Sequence, residues 1–103
     1  MRQTILNQDI ILAEDKRLIK RLWKVDVSKE FPIGLKFAYQ FLYFSKNEWI
    51  QIIRIDNQLH KGKSGVHIHT LDSEEVQWTE MSFEESEMTI IKLANKILEG
   101  VNK

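Results

Sequence analysis

The chain has no cysteine, a single proline and four glycines among its 103 residues. Without cysteine, disulfide staples, thiolate zinc sites and thiol nucleophiles are excluded together, and the composition fits a reducing, cytoplasmic setting. The proline, Pro32, sits in a short FPIG connection, and no linker, repeat or low-complexity tract divides the chain, so residues 1–103 are expected to form a single domain. Net charge is lacking too: 15 Lys+Arg balance 15 Asp+Glu, which excludes a surface built wholly for nucleic acid and leaves only local patches. No apolar run approaches the roughly 20 residues needed to span a bilayer, so no membrane partner is expected. The opening MRQTILNQDIILAEDKR has two acids soon after a short apolar stretch and no small-residue cleavage site, and does not read as a signal peptide.

What is present is 43% hydrophobic and 29% charged side chains, ten of the former aromatic. A chain this short buries only about 60–65% of its surface, so its core must lie between one pair of layers. Residues 17–28 are ambiguous: Leu18, Ile19, Leu22 and Trp23 have helical spacing, while Ile19, Trp23, Val25 and Val27 alternate, and the pattern favours a strand from about Leu22 after a helical turn. LKFAYQFLYF puts Leu35, Phe37, Tyr39, Phe41 and Tyr43 on one face of a strand. Ser45, Lys46 and Asn47 form a turn, and EWIQIIRID follows as its hairpin partner, with Trp49, Gln51, Ile53 and Ile55 at alternate positions.

NQLHKGKSG has no hydrophobic period and is expected to be an exposed loop. In the next strand, VHIHT, Val66 and Ile68 go to one face and His67 and His69 to the other, and EVQWT can add one more strand. Ser82 with Glu85 matches a capping box, and Ile90, Ala94, Ile97 and Val101, flanked by Ile91 and Leu98, recur at helical spacing up to Gly100, which can close the helix. The expected architecture is α+β: an antiparallel sheet of four or five strands with a C-terminal helix packed on one face.

All three histidines, His60, His67 and His69, fall within ten residues, beside Arg54 and Asp56. Three readings are open. Neutral imidazoles suit a divalent transition metal such as zinc or nickel, with His60, His67, His69 and Asp56 as the ligand set. With no metal, a histidine pair can supply the base and the acid that 2′-hydroxyl attack on an adjacent phosphodiester needs, with Arg54, Lys61 or Lys63 stabilising the developing charge and Tyr43, Trp49 or Trp78 stacking a base. That makes His60, His67, His69 and Arg54 the candidate catalytic residues of a metal-independent ribonuclease. In the third reading His-x-His is ordinary outward patterning of a half-buried strand, Asp56-Asn57 is turn chemistry, and Arg54 is a surface cation paired with Asp56.

Arg54-Ile55-Asp56-Asn57, then His60, then His67-Ile68-His69, followed by an acid-rich helix start, resembles over residues 35–100 the small proteins of the TumE type. Two departures from that signature are Ile55, where the family usually has an aromatic, and Gly65-Val66-His67-Ile68-His69, where it has a denser Pro-His-His-x-His. The resemblance implies the toxin half of a prokaryotic toxin–antitoxin pair, whose partner is a small helix-turn-helix antitoxin. Combined with the histidine chemistry, it leads to the expectation of a toxin-like protein acting on RNA; the alternative is a non-enzymatic domain that binds metal or a protein.

Charge is unevenly spread: residues 16–36 hold seven basic and two acidic side chains, and residues 72–87 seven acids and no base. The basic segment reads as a solvated edge strand, which an antitoxin or a second subunit could cover.

Overall fold

The computed structural model of the chain describes residues 2–58 and 65–101, Val101 for its backbone alone. Six strands, β1 (Gln3–Ala13), β2 (Lys16–Lys24), β3 (Leu35–Ser45), β4 (Glu48–Asp56), β5 (Val66–Thr70) and β6 (Gln77–Thr79), precede one helix, α1 (Phe83–Val101). The sheet order is β1-β2-β3-β4-β5-β6, each strand antiparallel to its sequence neighbour. The α+β class and the helix against the sheet agree with expectation; the sheet has six strands rather than four or five.

The additional strand is β1. Asn7, Gln8 and Asp9 interrupt its apolar residues, and register shifts between Thr4 and Leu6 and between Ile11 and Ala13 break its alternation. Its partner β2 is extended over all of Lys16–Lys24, with no helical turn, and ends where the expected strand was to continue. Residues 25–34 instead form a connection. Phe31 is buried in it, the Ser28 Oγ accepts from the Phe31 amide at 3.1 Å, and Gly34, at φ +70°, lets its carbonyl accept from Val25 N at 2.9 Å. A Cβ at position 34 would lie 3.0 Å from the Val25 carbonyl oxygen, so both conformation and space favour glycine.

The β3–β4 hairpin forms as its pattern predicts. Ser45 pairs with Glu48 across Lys46 and Asn47, whose φ angles of 51° and 65° match the two-residue turn that suits strand twist. One irregularity alters β4: Phe41 pairs with Ile53 but Leu42 with Gln51, so Ile52 is an extra residue and both it and Ile53 are buried. Alternation therefore restarts there, and Ile50, not Gln51, packs against the core. In β6 the paired residues are only Gln77–Thr79, shorter than the EVQWT expected.

The core lies between one face of the sheet and α1. Leu18, Phe37, Tyr39, Phe41, Ile53, Ile55 and Ile68 meet Ile90, Ala94 and Leu98 of the helix. Burying each of the larger side chains is worth about 1.5–3 kcal/mol, the main source of the fold's stability. The helix stripe runs at intervals of four, with Ile97 at its flank. Its start is the capping box read from the sequence: Glu85 N donates to Ser82 Oγ and Ser82 N to Glu85 Oε1, both at 3.1 Å. Gly100 does not close it, since the helix continues to Val101. The buried Tyr39 hydroxyl donates to the Phe83 carbonyl at 2.9 Å, tying β3 to the first turn of α1. Burial, with Glu87 and Glu84 nearby, pushes its ionisation well above the usual phenol range.

The basic segment is not a sheet edge. β2 is paired on both sides, by β1 and β3, so the exposed edges belong to β1 and β6. Part of its charge meets the acidic segment within the fold, Lys20 Nζ lying 2.7 Å from Glu87 Oε1 on α1. Among the described residues no helix is long and apolar enough to cross a membrane.

Candidate functional site

Strand parity sends Arg54 and Asp56 of β4, and His67 and His69 of β5, to the sheet face opposite α1. Register then sets them side by side, Arg54 opposite His69 and Asp56 opposite His67. Such cross-strand neighbours have Cβ atoms about 4.5–5.5 Å apart, close enough for direct contact.

Asp56 is the hub. Its Oδ2 accepts from Arg54 Nε at 2.7 Å, while Oδ1 accepts from the Gln58 amide at 3.0 Å and faces His67 Nε2 at 3.1 Å. The other nitrogen of that ring, Nδ1, faces the Gly65 carbonyl oxygen at 3.3 Å. Both ring nitrogens thus look at oxygen atoms, one of a side chain and one of the main chain. Asp56 and His67 are only 3% and 2% exposed, so they form a buried polar pair, and among the described residues no buried side-chain nitrogen or oxygen lacks a partner. Outward patterning alone does not account for His67, which is not solvated. Its ring is packed against Trp78 at 4.9 Å and edge-on to His69 at 4.7 Å between centroids.

Arg54 and His69 form the accessible rim, each half-buried. The four residues therefore divide into a hidden pair, Asp56 and His67, and an approachable pair, Arg54 and His69. The second pair is open to an approaching molecule, and the first lies behind it. His60, Lys61 and Lys63 lie outside the described residues. Asn57 acts structurally, because its side chain accepts from Phe37 N at 2.8 Å and donates to the Leu35 carbonyl at 2.9 Å, clamping the start of β3 beside Asp56.

The aromatics separate as well. Trp49 sits at the opposite end of β4 from Asp56, against Phe44 and beneath Arg17, and Tyr43 packs at the core margin. Among the described residues, Trp78 is the one of the three aromatics suggested for base stacking that packs on His67. Gly65 and Gln58, which supply the main-chain partners of His67 and Asp56, are missed by residue patterning, since main-chain contacts leave no mark in residue type.

A metal ion can be asked of the same residues. One ligand atom each from Asp56, His67 and His69 lie within 4.8 Å of one another, and two imidazoles with a carboxylate are a donor set for zinc or nickel. Against it, the Arg54 guanidinium already holds the carboxylate and brings positive charge to the place a cation would occupy. A separate cavity of about 420 Å³, lined chiefly by Leu22, Ile33, Phe37, Val66, Met81 and Phe83, is apolar. No protein-family model, curated protein or solved structure matches the chain.

Proposed function

We propose that the chain is the toxin-like half of a toxin–antitoxin pair and acts on RNA at the rim formed by Arg54 and His69. The observation that supports this reading is the division of the cluster: a cation and an imidazole stand side by side at the surface, and a buried carboxylate fixes the cation from behind. Arg54 grips a phosphate, and His69 accepts the proton of the adjacent 2′-hydroxyl. The freed oxygen attacks phosphorus, the bond to the 5′ oxygen breaks, and that oxygen takes a proton from a water molecule, which His69 reprotonates. The products are a 2′,3′-cyclic phosphate and a 5′-hydroxyl end. Asp56 and His67 act as positioning residues, and Trp78 shields His67. The TumE resemblance in residues 35–100 supplies the toxin context and a helix-turn-helix antitoxin as partner; the setting is the cytoplasm.

Incubating the purified chain with end-labelled RNA in the presence of a chelator tests the reaction. Cyclic-phosphate products are expected from the wild type and not from His69→Ala. Arg54→Lys, which keeps charge but loses the guanidinium fork, is expected to lose most of the rate. Absence of cleavage by the wild type, or unchanged cleavage by folded His69→Ala, sinks the mechanism.

A second reading rests on the proximity of Asp56, His67 and His69: a zinc or nickel site in a non-enzymatic domain. Calorimetric titration of either metal should then give a binding isotherm that the His67→Ala, His69→Ala double variant lacks.

A further inference from the structure

The outer edge of β1 differs from an ordinary protected edge. Natural edges are blunted by shortness, proline, lysine or β-bulges, and the two irregularities of β1 lie towards its ends, leaving Leu6 to Ile11 regular. β1 is 11 residues long, contains neither proline nor lysine, and carries one charge, Asp9, which Arg17 of β2 engages through two contacts. Ile5 and Ile11 are 52% and 76% exposed on it. Among the described residues no strand pairs with it other than β2.

From Thr4 to Leu12 the strand reads T-I-L-N-Q-D-I-I-L, with apolar residues on each side of a polar centre at Gln8. We propose that β1 pairs antiparallel with β1 of a second copy of this chain, about a twofold axis at Gln8, joining the two sheets into one. In that register Leu6 of each copy stands opposite Ile10 of the other, and Asn7 opposite Asp9. Directly opposed residues share a face, so the match must hold face by face, and it does. Leu6, Gln8 and Ile10 lie beside Leu22, Lys20 and Leu18 of β2, and Leu18 and Leu22 belong to the core side. The Leu6 and Ile10 pairs therefore extend that apolar row across the axis. On the other face each Asp9 meets an asparagine amide rather than a second carboxylate.

The neighbouring registers fail by the same criterion. Centring on Asp9 opposes two carboxylates and sets Ile10 against Gln8; centring on Asn7 sets Leu6 against Gln8 and Ile5 against Asp9. The irregularities of β1 fall at Ile5 and Leu12, outside the regular run from Leu6 to Ile11, so the pairing segment is straight where the register requires it. The second copy is thus the occupant that this edge complements, through an isologous contact that closes at two chains.

The test uses the full chain. Sedimentation of the wild type should give twice the 12.2 kDa chain mass. Because the chain has no cysteine, Gln8→Cys introduces a lone thiol that faces its own copy at the axis, and mild oxidation should yield a disulfide-linked dimer; Gln3→Cys, opposite Ala13 in this register, should not. Asn7→Glu places a carboxylate against Asp9 twice per dimer while Arg21, already bonded to Asn7 at 3.3 Å, accommodates it within the chain. The dimer Kd should rise about tenfold, with the melting temperature unchanged when measured at concentrations where both chains are monomeric. A wild type that stays monomeric, including one that pairs this edge only with a different protein, overturns the proposal, as does equal cross-linking of the two cysteine variants.

Discussion

The two faces of β4 and β5 bury side chains by opposite means. Beneath α1, Ile53, Ile55 and Ile68 are covered by other apolar groups, and any residue of similar volume could share in that. On the other face Asp56 and His67 are nearly as deeply covered, yet each must be matched atom by atom by Arg54, the Gln58 amide, the Gly65 carbonyl and one another. Apolar burial tolerates imperfect fit, losing stability in proportion to the space left; polar burial fails when one member is removed, because the remaining charge keeps its desolvation cost.

The largest expected effect breaks the polar side. Asp56→Ala should lose about 3–5 kcal/mol in denaturant unfolding, since it strands His67 and Arg54 together. Phe41→Ala, under the helix, should lose a similar amount, about 3–5 kcal/mol. The comparison is sharpened by repair: Phe41→Leu should recover much of the loss, Asp56→Leu little, and Asp56→Leu combined with His67→Phe most of it, because neither buried polar side chain then remains.

Next in size is a pH effect confined to the helix side. Tyr39 ionises in the unfolded chain near 10.0 but is held neutral in the fold, above all by burial. Its contribution is fully present below that pH and is lost as pH rises towards the folded-state value, so stability should fall in alkali, and Tyr39→Phe should flatten the fall in urea titrations. Smaller again is Ser82→Ala, which removes the cap of α1 and should lower stability by about 1 kcal/mol. At the accessible rim, His69→Ala should shift stability by no more than about 0.5 kcal/mol, in contrast to its buried neighbour.

The same contrast explains how much of the molecule is legible in its sequence. The β3–β4 hairpin, the VHIHT strand, the capping box and the parity of His67 and His69 can be read there because alternation and capping are local. β1 cannot, because Asn7, Gln8 and Asp9 look polar without showing that the strand lies beyond the reach of α1, where little burial is required of it. The basic run at 16–36 looks like an edge because nothing in it signals the strand on its far side. Asp56 and His67 are recognisable as a pair with chemistry in reach; their burial is not, since it depends on Trp78, 11 residues further on, folding back over the ring.

The neighbour-to-neighbour order of the six strands also bears on how the chain leaves the ribosome. Each strand can zip onto the one before it as soon as it emerges, closing only a short loop each time, so the sheet is able to assemble vectorially and quickly. The helix is synthesised after all six strands. Until it arrives, Phe37, Tyr39, Phe41, Ile53 and Ile55 form a bare greasy plane on a nascent chain, the kind of surface that holding chaperones seize. Translation that pauses before residue 83 therefore prolongs the stage at which this protein is most open to aggregation, and the 19-residue helix serves as the latch that ends it.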